Sequence, residues 1–136
     1  MILDTSALIA IANDEPERAV FVEMILNADH VIISAPSLVE ASIVLYRLAG
    51  SLALTKLSQF LNEANVEVAQ FSSEHVREAV TAYQVYGRGS GSKAALNYGD
   101  CFSYALAKCR DEPLLFKGND FTETDIKNAC VKVEGD

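Results

Sequence analysis

The chain has 136 residues, half of them hydrophobic, and a formal net charge of −8 at pH 7. This length and composition exclude a disordered chain, and we expect residues 1–136 to form a single domain. The negative charge argues against a simple basic clamp on nucleic acid, because such clamps bind phosphates through Lys and Arg. An enzyme that acts on nucleic acid is not excluded, since bound divalent cations offset the charge of the carboxylates that hold them.

The predicted strands alternate with longer helical patterns along the chain. Short apolar or β-branched runs predict strands at residues 2–3, 31–33, 66–69, 114–116 and 130–133. Apolar residues recur at helical spacing in the segments 5–12, 21–28, 38–48, 52–64, 76–83 and 96–110. Pro16 and Pro36 suit first turns of helices, Gly50 and Gly87 suit helix ends, and Ser72–Ser73 suits an N-cap. This alternation predicts a parallel sheet covered by helices, a three-layer α/β/α sandwich.

The glycine-rich segment GRGSGSKAA at 87–95 is the clearest predicted loop, and it matches neither phosphate-binding glycine motif. The strand at 114 must start at the amino edge of the sheet, so the helix before it must begin at the carboxyl edge. An extended segment 87–97 would reach about 36 Å, which exceeds the length of a helix of about 21 Å. The helix before this segment should end at the amino edge. We therefore expect the segment to carry the chain from the amino edge back to the carboxyl edge and to place Asp100 there.

Four acidic residues from distant parts of the chain are predicted to meet at that edge, where open α/β sheets bind ligands. Asp4 ends the first strand, Asp120 follows the fourth, and Asp100 begins a helix. Glu40 lies among apolar residues in the first turns of the helix after the second strand. Each has an ordinary alternative: Asp4 and Asp100 could cap helices, Glu40 could pair with an arginine, and Asp120 could be a turn residue.

Four carboxylates in one cleft would repel one another and raise their own pKa values. Divalent cations with oxygen ligands relieve this repulsion, and Mg²⁺ or Mn²⁺ suits a site without nearby His or Cys. Two such ions about 4 Å apart can activate a water and stabilise the leaving oxygen of a phosphodiester. The four acids are therefore candidate metal ligands and catalytic residues.

Several segments together resemble the PIN-domain nucleases, specifically the VapC-type toxins of bacterial toxin–antitoxin pairs. These are MILDTSALIA, Glu40 in its apolar helix, LNYGDCFSYALAK and LLFKGNDFTETDI. The resemblance covers essentially the whole chain. Its most specific part runs from Tyr86 to Asp125, where Asn97, Gly99, Asp100 and Cys101 come in the order seen in one VapC subgroup.

The resemblance implies a PIN-like five-stranded sheet of order 3-2-1-4-5 and an endoribonuclease that depends on Mg²⁺ or Mn²⁺. It also implies a homodimer, inhibition by a cognate VapB-type antitoxin, and RNA products with a 5′-phosphate and a 3′-hydroxyl. The acidic site carried over from the family consists of Asp4, Glu40, Asp100 and Asp120, and all four positions keep their acid.

Other residues near the predicted site have more than one interpretation each. Thr5 or Ser6 could hydrogen-bond a carboxylate or a metal-bound water, or could cap a helix. Asn97 could orient Asp100, contact phosphate, or act as a cap. Three tyrosines could stack on RNA bases, although we expect core or dimer packing: Tyr83, Tyr86 and Tyr98.

Three basic residues are candidate RNA contacts. Arg88 and Lys93 lie on the glycine-rich loop, where ordinary surface charge is the alternative. Lys117 could pair with Asp120 or with the scissile phosphate. Asp125 ends a T-x-x-D sequence, which predicts a capping box in preference to a fifth metal ligand.

The expected compartment is the cytoplasm. The three cysteines are odd in number and lack CxxC spacing, which indicates reduced thiols: Cys101, Cys109 and Cys130. No apolar run approaches the ~18 residues of a membrane helix, and strand-like residues from Ile2 onward leave no room for a signal peptide.

Two other functions are compatible with an acidic α/β fold. A receiver-like signalling domain would need a phosphoacceptor Asp at the end of the third strand, where this chain has QFSSEH. A non-catalytic interaction module would keep the PIN fold only to bind a partner, and the four retained acids count against it.

Overall fold

A computed structural model gives the positions of residues 1–130. Four strands and six helices follow one another: β1 (Ile2–Leu3), α1 (Thr5–Ala12), α2 (Arg18–Asn27), β2 (Ile32–Ser34), α3 (Ala35–Ala49), α4 (Ser51–Glu63), β3 (Glu67–Ala69), α5 (Ser73–Tyr86), α6 (Asp100–Arg110) and β4 (Leu114–Leu115). Among these helices, none combines the length and the apolarity that crossing a membrane requires.

The four strands form one parallel sheet of order β3-β2-β1-β4, which confirms the predicted order for these strands. The predicted five-stranded sheet is not found within residues 1–130. Asn128 forms only an isolated parallel bridge with Leu114, and Cys130 lies in a turn. The rest of the strand predicted at 130–133 lies outside the described residues.

The core consists of two apolar layers, one on each face of the sheet. Because successive strand residues point to opposite faces, Ile2 packs with residues of α5 and α6, while Leu3 packs with residues of α1 to α4. The residues that pair with them on β2 and β4 follow the same alternation. This arrangement confirms the three-layer α/β/α sandwich.

The helix boundaries agree with most of the local signals. Pro36 lies in the first turn of α3, the Ser72 hydroxyl accepts the His75 N–H at the start of α5, and Gly87 ends α5. Pro16 lies in the turn before α2. Gly50 has a φ of +74°, which favours glycine, and it ends α3 directly before α4 begins.

The glycine-rich loop takes a different path from the predicted one. The Arg88 N–H donates to the Leu96 carbonyl at 3.2 Å, and the Leu96 N–H donates to the Tyr86 carbonyl at 3.0 Å. These bonds bring the two ends of the loop together. The loop therefore closes on itself and does not span the length of a helix. The prediction of an extended return was therefore wrong. The end of α5 already lies near α6, where the rings of Tyr86 and Tyr104 are 5.9 Å apart.

Candidate functional site

Asp4 directly follows β1 and is almost fully buried, and both of its carboxylate oxygens accept hydrogen bonds. Its Oδ2 accepts the Ser6 N–H at 3.0 Å and the Ser6 hydroxyl at 2.6 Å. Its Oδ1 accepts the Ser103 hydroxyl at 2.6 Å. Asp4 is thus the N-cap of α1 and also a fixed carboxylate at the carboxyl edge of the sheet. Thr5, by contrast, donates its hydroxyl to the Ser37 carbonyl at 3.0 Å.

Asp100 begins α6 and is held by a reciprocal pair of hydrogen bonds. Its Oδ2 accepts the Asn97 N–H, and its own N–H donates to Asn97 Oδ1, both at 2.9 Å. Burial raises the pKa of Asp100 to about 7 against the opposing effect of the Asn97 N–H. The negative charges of Asp4, Asp120 and Glu40 raise it further. The four predicted acids therefore interact in one region.

Glu40 reaches this region from α3 because Gly99 has no side chain. A Cβ atom added to Gly99 would lie 2.2 Å from Glu40 Oε2. The Glu40 carboxylate therefore lies against the backbone of the residue that precedes Asp100. This contact explains a half-buried glutamate among apolar neighbours.

Asp120 lies at the exposed rim, in the turns that follow β4. The sequence allowed a pair between Lys117 and Asp120, but the Lys117 ammonium instead forms ion pairs with Glu15 and, at 3.2 Å, with Glu17. The Lys117 N–H donates to the Ser6 hydroxyl at 3.0 Å. The segment after β4 is thus tied to the residue that holds Asp4.

The donor set suits a hard divalent cation, because the groups that interact at this edge are carboxylates. Burial and the neighbouring carboxylates raise the pKa of Asp100, and a cation bound among these carboxylates would oppose that rise. Within residues 1–130, however, no three His, Cys, Asp or Glu side chains form a ready-made metal site. The oxygens of Asp4 and Asp100 are turned toward serine and asparagine donors instead.

Two of the three basic candidate RNA contacts lie on the glycine-rich loop. Arg88 and Lys93 are exposed on that loop. Tyr98 is 79% exposed, and its ring contacts Phe102 edge-on at 4.8 Å. Tyr86 packs against Tyr104 and is half-buried, in agreement with core packing.

Asp125 has the structural role that we expected, but through different contacts. No helix lies between Thr122 and residue 130, so the predicted capping box is absent, and the Thr122 hydroxyl donates to the Asn119 carbonyl. Asp125 accepts hydrogen bonds from the Tyr104 hydroxyl and the Lys108 ammonium, both at 2.6 Å. It therefore fastens the segment after β4 to α6.

Sequence reasoning missed two serines behind Asp4. Ser103 donates to Asp4, and Ser37 in turn contacts Ser103. A usable signal was present, because Ser103 is three positions from Asp100 and Ser37 three positions from Glu40 on their helices. Residues at this spacing share a helix face.

The family model described as PIN domain matches residues 1–127. The chain belongs to the PIN domain family. Within the family it is similar to VapC ribonuclease Mb0625 of Mycobacterium bovis, with 45% identity over 129 residues. The match covers 95% of this chain and 97% of that protein.

Two solved structures share the PIN fold of this chain. Mycobacterium tuberculosis VapC20, described as a Sarcin-Ricin loop cleaving toxin, superposes with a TM-score of 0.74 at 17% identity, covering 92% of this chain and 95% of that chain. DNA-bound VapBC from Salmonella typhimurium superposes with a TM-score of 0.74 at 18% identity, covering 93% and 94% respectively. At these identities the likeness shows the fold alone, and it confirms the predicted PIN-like architecture.

Proposed function

We propose that this PIN-domain protein is a metal-dependent endoribonuclease and the toxin of a toxin–antitoxin pair. The observation that carries the proposal is the interaction of Asp4, Glu40, Asp120 and Asp100 at the carboxyl edge of the sheet, where the pKa of Asp100 is raised to about 7. The similarity to VapC ribonuclease Mb0625 over nearly the whole chain supports the same activity.

The proposed cofactor is Mg²⁺ or Mn²⁺, held mainly by Asp4 and Asp100 and completed by Glu40 and Asp120 directly or through water. When bound, such a cation lowers the pKa of a coordinated water and offsets charge that develops on the phosphate. Loss of the cation would leave the buried Asp100 carboxylate with its raised pKa.

The side chains of the acidic site would orient the reacting groups and accept a proton. Asp4 is fixed by Ser6 and Ser103, so it offers a carboxylate of constant orientation. A carboxylate oxygen of Glu40 or Asp120 would orient the attacking water and accept its proton. The water oxygen then bonds to phosphorus in line with the departing O3′, which takes up a proton. The products are a 5′-phosphate and a 3′-hydroxyl.

RNA binding would depend on few cations because the chain is acidic. Arg88 and Lys93 are exposed on the loop that precedes Asp100, and we assign them to RNA phosphates. Lys117 is a weaker candidate, since Glu15 and Glu17 already offset its charge.

The proposed assembly is a homodimer in the cytoplasm, with residues 1–136 as one domain and a VapB-type antitoxin as the inhibitor. The VapBC complex from Salmonella typhimurium, which has the same fold, supports this partner. Expression of the chain alone and with the small protein encoded beside it tests the pairing. We expect the chain alone to cut cellular RNA and the partner to suppress the cleavage.

The decisive test of activity compares the purified protein with Asp100→Asn and Asp4→Asn on a set of RNAs, with Mg²⁺, Mn²⁺ or a chelator. We expect cleavage by the wild type with either metal, none with the chelator, and none by either variant. Mapping of the RNA ends checks the predicted 5′-phosphate. Cleavage by Asp100→Asn at the wild-type rate would contradict the assignment.

The two alternative functions have less support. Membership of the PIN domain family argues against a receiver-like domain, and so does Lys117, whose ammonium pairs with Glu15 and Glu17 and not with the acids of the site. The non-catalytic module predicts that calorimetry detects no binding of Mg²⁺ or Mn²⁺, so the same protein sample separates it from the nuclease.

A further inference from the structure

Two fully buried serines form a chain of hydrogen bonds behind Asp4. The Ser103 hydroxyl on α6 lies 2.6 Å from Asp4 Oδ1, and the Ser37 hydroxyl on α3 lies 3.2 Å from the Ser103 hydroxyl. Both serines are 0% exposed, so water does not replace these contacts. The chain joins α3 and α6 to the end of β1.

The donors and acceptors in this series of hydrogen bonds can be assigned because the series ends at a carboxylate. An ionised carboxylate only accepts hydrogen bonds, so Ser103 must give its one hydroxyl proton to Asp4. The Ser103 oxygen is then left to accept from Ser37. A donor whose own oxygen accepts a hydrogen bond is polarised and donates more strongly, and the bond to a charged acceptor is stronger still.

The same two serines lie on the helix faces that carry the other acids. Ser37 is three positions before Glu40, and Ser103 is three positions after Asp100, so each pair shares a face. The contact between Glu40 and the Gly99 backbone shows that α3 and α6 approach closely at this point. The serine contact therefore fixes how these two helix faces meet.

We propose that Ser37 and Ser103 are positioning residues that hold the Asp4 carboxylate and set α3 against α6, so that Asp4, Glu40 and Asp100 face one cation. This inference rests on the proposed function of the acidic site. Without the Ser103 hydroxyl, Asp4 Oδ1 loses its donor, and the carboxylate is held only through Oδ2, by Ser6. Neither serine touches RNA in this role.

The test uses Ser103→Ala and Ser37→Ala, with Ser34→Ala as the matched control. Ser34 is also a buried serine beside α3, but its hydroxyl has no hydrogen-bond partner among residues 1–130. Calorimetry gives the Mn²⁺ affinity, thermal unfolding without metal gives the stability, and RNA cleavage gives kcat and KM.

We expect Ser103→Ala to bind Mn²⁺ about 10- to 100-fold more weakly, because loss of a hydrogen bond to a metal ligand has effects of this size. Its kcat should fall while KM for RNA stays the same. Ser37→Ala should shift both quantities in the same direction by less, and Ser34→Ala should match the wild type. A purely structural role would lower the melting temperature without changing Mn²⁺ affinity in the folded protein.

Wild-type Mn²⁺ affinity and kcat in folded Ser103→Ala would overturn this inference alone, because the wild type would still be an active nuclease. If Ser103→Ala does not fold, Ser37→Ala decides the question, and wild-type values in that variant overturn the inference. A wild-type chain that binds no Mn²⁺ and cuts no RNA would overturn the proposed function and this inference with it.

Discussion

Asn97 and Asp100 exchange two hydrogen bonds of 2.9 Å across the start of α6. The Asn97 side chain satisfies a free N–H of the helix, while its backbone N–H holds the carboxylate. Two of the three interpretations of Asn97, as a cap and as an orienting residue, are therefore both present in one pair. The Asn97 side chain caps the helix, and the Asn97 backbone N–H orients the Asp100 carboxylate.

Replacement of Asn97 by alanine should lower the free energy of unfolding by about 1 kcal/mol, because it removes a helix cap. The hydrogen bond from its backbone N–H to Asp100 remains, so RNA cleavage should fall by less than in any variant of the four acids. Chemical denaturation and cleavage rates measure the two effects. Abolished cleavage in a folded Asn97→Ala protein would show a direct role for the side chain.

The raised pKa of Asp100 predicts a pH effect on the metal-free protein. The pKa rises from 3.8 to about 7 on folding, mainly through burial. Stability from this group is therefore fully present below the unfolded pKa and is lost as the pH rises to about 7. Asp100→Asn cannot ionise, so it should unfold at a higher temperature than the wild type at mildly alkaline pH without metal.

The same two proteins should have similar stability at acidic pH, where Asp100 is protonated in both states. Added Mn²⁺ should stabilise the wild type more than Asp100→Asn. Glu23→Gln, at an exposed position on α2, is the control for a general effect of removing one negative charge. Equal pH profiles for wild type and Asp100→Asn would contradict the prediction.

Gly99→Ala should displace Glu40 while leaving the helix intact. Gly99 has a φ of −66°, which alanine adopts readily, but its new Cβ would collide with Glu40 Oε2. We expect cleavage to fall by about tenfold, equivalent to about 1.4 kcal/mol of barrier. The fold should tolerate the change, because the end of a flexible side chain can move.

A double-mutant cycle with Glu40→Ala checks this mechanism. Once the Glu40 carboxylate is absent, the alanine at position 99 has nothing to displace and should reduce cleavage no further. Additive losses from the two substitutions would mean that Gly99 acts through another contact.

The contacts of Asp125 predict an acid-sensitive link between α6 and the segment after β4. Burial raises its pKa, but hydrogen bonds from Lys108 and Tyr104 outweigh this and hold the pKa of Asp125 below its usual range. A depressed pKa contributes stability above the unfolded pKa and loses it as the pH falls through the folded value. Asp125→Ala should therefore destabilise the protein at neutral pH and much less in strong acid.

Lys127→Ala is the matched control for that link, because the Lys127–Asp111 pair is largely exposed. Exposed ion pairs contribute between about 0 and 1 kcal/mol, so its effect on denaturation should be small. A pH-independent difference between Asp125→Ala and wild type would show that the packing of Asp125, not its charge, matters.

The fold and the positions of Asp4 and Asp120 could be predicted because their signals are local. Asp100 was placed at the same edge by an argument from an extended loop, which the structure does not have. A short apolar run such as that of β1 marks a strand, and an acid directly after it, such as Asp4, must lie at the carboxyl edge. The same logic located Asp120 after β4. These deductions need only the alternation of strands and helices and the geometry of a parallel sheet.

The features that were missed depend on contacts between distant residues. The glycine-rich loop closes through backbone hydrogen bonds between Tyr86, Arg88 and Leu96. Such bonds do not depend on side-chain type, so the sequence does not indicate them. Lys117 pairs with Glu15 and Glu17 because α2 begins nearby in space, although not in sequence.

The Ser103 hydroxyl reaches Asp4 across 99 positions of sequence, and the charge of Asp120 acts on Asp100. The acidic site is therefore completed only when the chain has been synthesised through Asp120. A nascent or truncated polypeptide that ends before Ser103 lacks both that donor and the rim acid. In a protein whose proposed activity endangers the cell that makes it, every nascent chain that ends before Asp120 would lack a complete acidic site.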